Sequence, residues 1–167
     1  RPIAVGAMLG EVTPEALVRS NGARPGDALL LTKGIAVEGT AILAAEVQNH
    51  LAHGLSSELV ARAARFLHDP GISVVRDAVI ATSAGEVHAM HDPTEGGVAT
   101  GIHELAGAAG IGAVIDAASL PVYPETRAIC DYLGLDPLGV IASGALLVAA
   151  AAEDAGDIVR ALQEDGI

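Results

Sequence analysis

Apolar residues follow two periods along the chain, and the places where one gives way to the other mark its elements. Val98, Ile102, Leu105 and Ala109 stand at i, i+4, i+7 and i+11, so residues 98–109 are predicted to form a helix whose apolar face packs on a sheet. Residues 87–90, just before it, read as a strand. Residues 28–32, behind the turn-forming cluster Asn21-Gly22-Ala23-Arg24-Pro25-Gly26-Asp27, read as a buried strand, and residues 145–150, introduced by Ser143-Gly144, as another. Residues 3–12 are apolar and small, which suits a strand, and Thr13-Pro14-Glu15 then caps a short helical turn.

The remaining pattern fills the gaps. Lys33-Gly34-Ile35-Ala36-Val37-Glu38-Gly39-Thr40 leads into a helical pattern carrying Ile42, Ala45 and Glu46, a passage from strand through glycine loop to helix. Ser56, Ser57 and Glu58 open a helix with Leu59, Ala63 and Phe66 or Leu67 turned inward and Arg62 and Arg65 outward, ending near His68-Asp69-Pro70-Gly71. Residues 72–82 fit a strand at one end and a helical face through Val75, Val79 and Ile80; helix is the reading taken. Residues 112–117 read as a strand, and 120–124 as a loop that places Pro124 at the first position of a helix closing at Gly134. Asp136-Pro137-Leu138-Gly139 is a turn, and Glu153 and Asp154 open a last helix packing through Ile158, Val159 and Leu162. Strands alternate with helices, so the class is α/β or α+β, with one sheet covered chiefly on one side.

At 167 residues, with no fixed-period repeat, low-complexity tract or linker, the chain is expected to be one domain. Only one Phe and two Tyr accompany an apolar half made of Ala, Val, Leu and Ile, so the core must be aliphatic. The formal charge of −12 disfavours nucleic acid and anionic membrane surfaces, which need clustered Lys and Arg. Without a long apolar run or a signal-like leader, a soluble cytoplasmic protein is the expectation. The chain opens on Arg-Pro and stops just after a helix at Asp165-Gly166-Ile167, which points to a piece of a longer protein. Cys130, alone and within a predicted helix, reads as a packing thiol and not as a nucleophile.

Candidate chemistry concentrates in His91-Asp92-Pro93-Thr94-Glu95-Gly96-Gly97, where a strand stops at Asp-Pro and two glycines open a helix. Backbone N–H groups at such a turn suit an anion; Thr94 is placed to cap the helix, and Gly96 and Gly97 keep side chains away from a ligand. Asp92 suits Mg²⁺ beside bound phosphates, or equally an Asx-type turn that fixes the loop. Lys33, ending the strand at 28–32, reaches an anion or lies solvated at the sheet edge; its spacing is not that of a P-loop. His88, His91, Asp92 and His103 are the densest potential metal ligands, but 88 and 91 point to opposite faces of a strand. Glu95 is expected to face solvent or a basic group on a neighbouring lobe.

Four segments in order, Gly22-Ala23-Arg24-Pro25-Gly26-Asp27, Gly39-Thr40-Ala41-Ile42-Leu43-Ala44, the run from Met90 to Thr100, and Leu133-Gly134-Leu135-Asp136-Pro137-Leu138, resemble the C-terminal domain of the aminoimidazole ribonucleotide (AIR) synthetase superfamily, within it the HypE-like branch of hydrogenase maturation factors. The resemblance implies a layered domain with a mixed β-sheet covered by helices, partly ferredoxin-like, closing over the phosphates of ATP. It implies an N-terminal domain supplying most of the ATP and Mg²⁺ site, a homodimer when full length, and a final strand after Ile167. By position in that motif the site residues are Asp92, Thr94, Gly96 and Gly97, with Lys33. The implied reaction is ATP-dependent activation of an oxygen, in the HypE case carbamoyl dehydration. Glu95 stands where HypE motifs often have Arg, and the C-terminal Cys that carries the carbamoyl group is not in this sequence, so a noncatalytic binding or assembly module is the alternative.

Overall fold

Residues 147–150 carry four consecutive apolar side chains, and all four are buried, as a strand must be when it has neighbours on both edges and helices on both faces. In the computed structural model, which describes residues 3, 5–7 and 9–167, this strand, β3 (Leu147–Ala150), lies between β1 (Ala28–Leu31) and β2 (Val87–His91). Both ladders are antiparallel, so the mixed sheet expected from the resemblance is an antiparallel one among the described residues. Leu31 and His91 both stand opposite Leu147.

Alternation along β3 sends its side chains to two cores. Leu146, Val148 and Ala150 pack with Ala81 of α4 (Val75–Ala84) and with Ile158 and Leu162 of α7 (Ala155–Glu164). Leu147 and Ala149 pack with Ala89 and with Leu105 of α5 (Gly97–Ala109). Both faces are therefore covered, not chiefly one, because α4, read ambiguously from sequence, is a helix that joins α7 on the first face. Beside the sheet, α1 (Val37–Glu46), α2 (Gln48–Leu51), α3 (Ser57–Ala64) and α6 (Pro124–Leu133) enclose Ala44, Leu51, Val60, Ala63 and Ile129. The hydroxyls of Thr40 and Thr126 meet at 2.7 Å among these helices, satisfying each other.

Several expectations are corrected. Residues 3–12 form no strand among the described residues, with Ala4 and Met8 outside them; Ile3, Val5 and Leu9 are exposed and no strand lies alongside. Residues 112–117 form none either: residues 112–115 make no backbone hydrogen bond among the described residues, a strand exists only by pairing, and Asp116 instead caps a 3-10 turn over Ala117–Ser119. The inward stripe of α3 carries Leu59, half-buried against that core, and the buried Ala63, with Phe66 buried just beyond the helix end; Val60 joins it, and Ser56 fixes the helix start by accepting from Leu59 N at 3.2 Å. Val159 is left at the surface while Ile158 and Leu162 are buried. Cys130 is a buried free thiol, and burial raises its pKa, the environment of a packing residue. Among the described residues no helix is long and apolar enough to cross a membrane.

Candidate functional site

Since β1 and β2 both oppose β3, they run parallel to each other, and the chain leaves both at the same end of the sheet. It then enters α1 after β1 and α5 after β2. Two helix N-termini thus open on one edge, where helix dipoles concentrate partial positive charge. A strap formed by residues 138–143 ties them together. Its Ser143 and Ile141 carbonyls accept from Glu38 N at 3.2 Å and Gly39 N at 3.1 Å, while its Ala142 N donates to the Thr94 carbonyl at 3.2 Å.

The two N-termini differ in what they leave unbonded. At α1 the amides of Glu38 and Gly39 are consumed by the strap, and Thr40 N bonds the Ala36 carbonyl at 2.9 Å. At α5, Gly97 N donates to the Thr94 carbonyl at 3.2 Å, but the amides of Val98 and Ala99 have no acceptor among the described residues. Ala99 is exposed, so its amide is the donor an anion would meet, whereas Val98 is fully buried.

Asp92, Thr94, Gly96 and Gly97 come together in this turn, though the physical roles of three differ from expectation. The Thr94 hydroxyl does not cap α5; it donates weakly to the Asp92 carbonyl at 3.5 Å, and Gly96, left-handed with φ 77°, holds the N-cap position. At Gly96 a Cβ would overlap the Thr100 hydroxyl, and at Gly97, φ 68°, it would overlap the Leu138 carbonyl oxygen and lie 2.7 Å from that of Val140. The second glycine is required by close approach of the strap.

Asp92 is exposed and its carboxylate makes no hydrogen bond among the described residues, so the Asx-type turn does not form. Partial burial raises its pKa, the negative charge of Glu38 adds to the rise, and His91 and Lys33 oppose it. Glu38, in the first turn of α1, is therefore a second carboxylate of this edge that the sequence reading passed over. Its signal was an acidic residue opening a helix directly behind a glycine loop.

Lys33 is neither solvated nor free to swing. Left-handed at φ 57°, it donates from Nζ to the carbonyls of Ser73 at 2.7 Å and Gly144 at 3.0 Å and stands 3.3 Å from Asp77 Oδ2. The Lys33 and Asp77 side chains are 7% and 1% exposed, a buried ion pair whose charge reaches Asp92 through space. The histidines do not converge. His88 lies 2.9 Å from Asp27 and 3.0 Å from Glu86, and His91 lies 2.9 Å from Glu104. Among the described residues no group of three potential ligands could hold a metal ion.

Residues 24–167 match the family of the AIR synthase related protein, C-terminal domain. The chain belongs to that family. Carbamoyl dehydratase HypE of Cupriavidus necator is 36% identical over 155 residues, covering 93% of this chain and 41% of its own length. HypE solved in complex with ATP superposes with a TM-score of 0.69 at 27% identity, over 93% of this chain and 43% of that one. HypE of E. coli gives a TM-score of 0.70 at 28% identity, over 89% and 42%. The AIR synthase related domain thus spans about two fifths of the length of these relatives. Segments 39–44 and 90–100, which carried the resemblance, abut the strap through Gly39 and Gly97, and segment 133–138 runs into it.

Proposed function

We propose that this domain forms the phosphate-facing wall of a nucleotide site in an ATP-dependent protein of the HypE kind, where phosphorylation of a carbamoyl oxygen would prepare its dehydration. The observation that carries the reading is the unbonded amide of the exposed Ala99 at the α5 N-terminus, at a sheet edge that also bears Asp92 and, from α1, Glu38. Alone, the two carboxylates would repel a phosphate. Asp92 and Glu38 would be the residues to hold Mg²⁺, which takes one or two carboxylates and otherwise water and phosphate and would offset that repulsion. The chain's own part is positional and electrostatic: backbone donors on the phosphates, carboxylates toward the metal, and the Lys33 charge held behind them by Asp77.

The same reading gives the domain an N-terminal partner in its own chain for the other wall, and a homodimer when full length. A final strand would lie along the edge of β1 that is free among the described residues, facing residues 112–115 across a cavity of about 630 Å³ lined by Leu29, Leu31 and Ile111. Support for that placement is the unsatisfied backbone on both sides of the cavity.

Titration of the full-length protein with ATP and a non-hydrolysable analogue, with and without Mg²⁺, tests the proposal: saturable, metal-dependent binding is expected, followed by metal-dependent hydrolysis when a carbamoyl acceptor is supplied. Absence of both would leave the second reading, a noncatalytic assembly module, which the exposed Glu95 in the turn and the internally bonded Lys33 favour.

A further inference from the structure

A second cleft, of about 430 Å³, lies between the start of α4, the irregular turn Leu67–Gly71, Tyr123 and the last turn of the described chain. Its charged groups are Lys33, Arg76, Asp69, Asp77 and Asp165, two cations against three carboxylates. Lys33 pairs with Asp77 and Arg76 with Asp165, so both cations are already engaged. Three polar groups are left over. Asp77 Oδ1 is buried with no hydrogen-bond partner, on a residue only 1% exposed. The Asp69 carboxylate makes no hydrogen bond or ion pair among the described residues, and neither does the Tyr123 hydroxyl, whose pKa is raised by burial and by the charge of Asp69.

A buried carboxylate oxygen left without a donor loses its hydration with nothing in return, so the wall asks for a donor and not an acceptor. The surplus negative charge asks for a positive one. An anion is disfavoured because no cation in the cleft is uncommitted. No group of three potential metal ligands forms there among the described residues, and Asp77 is already paired with Lys33.

We infer that this cleft binds a small organic cation carrying several N–H donors, a guanidinium or primary ammonium, through Asp77 Oδ1 and Asp69. The site lies apart from the glycine turn, although it shares the Lys33–Asp77 pair with the nucleotide reading.

The test is titration of the full-length protein with methylguanidinium chloride, followed calorimetrically and by amide NMR shifts. Sodium chloride at matched ionic strength and tetramethylammonium, a cation without N–H donors, serve as controls. One saturable site with Kd below about 1 mM is expected, with no saturation by either control. Because Asp77→Asn also strands Lys33 and can cost folding, Asp69→Asn carries the decision, with affinity lowered about tenfold or more. Absence of saturation, equal binding of tetramethylammonium, or undiminished affinity in Asp69→Asn overturns the inference. ATP-analogue binding should be the same in Asp69→Asn as in the wild type, so failure of the nucleotide proposal leaves this result interpretable.

Discussion

His88 Nδ1 lies 2.9 Å from Asp27 Oδ1, with side chains 7% and 10% exposed, and this contact fastens β2 to the turn that precedes β1. The other ring nitrogen is 3.0 Å from Glu86 Oε1 and 2.9 Å from Arg24 Nη1. A neutral imidazole donates from Nδ1 to Asp27 and accepts from Arg24; a protonated one donates to Asp27 and Glu86. Either state is fully bonded, but the facing charges weigh them differently. Burial lowers the His88 pKa, hydrogen bonds to Glu86 and Asp27 more than reverse that, Arg24 opposes, and the net value lies above that of ordinary imidazole.

The sign of the stability effect follows. A raised folded-state pKa means folding takes up protons, so the contribution is full below about pH 6.5, the unfolded value, and is lost as pH rises through the higher folded value. The urea midpoint should therefore decline across that window, and His88→Gln should flatten the decline. An unchanged pH profile in the variant would remove His88 as its source.

Gly97 and Gly110 have nearly the same left-handed φ, 68° and 69°, but different surroundings. A Cβ at Gly110 meets nothing within 4 Å, whereas at Gly97 it runs into the strap backbone. Gly110→Ala should cost only the conformational term, about 1 kcal/mol. Gly97→Ala must also push residues 138–140 away and should cost about 3 kcal/mol or more. Equal losses in denaturant unfolding would show that the strap yields easily.

What the sequence disclosed and what it withheld divide along physical lines. Helix α5 and strand β2 were legible because period and turn chemistry are local. So were Pro124 and Gly134 at the ends of α6, where fixed φ and left-handed backbone are properties of single residues. Pairing is not local. Residues 112–117 look like a strand in composition, but 112–115 have no strand partner among the described residues and Asp116 caps a 3-10 turn instead. The site divides likewise: the turn around Asp92 could be found, but the strap through Ile141 and Ser143, which silences the α1 amides, joins segments about a hundred residues apart. Lys33 was visible and its partner was not, since nothing near Asp77 in sequence announces a buried carboxylate.

That pairing makes Lys33→Met a sharp probe. Removing the ammonium leaves a buried Asp77 charge and frees the Ser73 and Gly144 carbonyls, so stability should drop by about 3–5 kcal/mol. A Lys33→Met, Asp77→Leu double variant should recover much of the loss, because the uncompensated charge has gone. Chemical denaturation of both variants checks it. A stable single variant would mean the ammonium is not clamped as described.

Asp92 calls for the opposite behaviour. Its folded pKa is raised, mainly by partial burial, so its ionised form is a liability in the folded state: the favourable contribution is present below the unfolded carboxylate value and is lost as pH rises through the folded one. Asp92→Asn should therefore leave stability at neutral pH unchanged or slightly higher. Its effect should appear in function, because the carboxylate feels the charge of Glu38 and makes no hydrogen bond among the described residues. In the full-length protein the variant should lose about tenfold or more in Mg²⁺-dependent nucleotide affinity, with little change when Mg²⁺ is withheld. Calorimetric titrations with and without the metal separate these cases. A variant that unfolds more readily, or that keeps the wild-type metal dependence, would assign Asp92 to the scaffold of the turn and move the metal-facing role to Glu38 or to the other lobe.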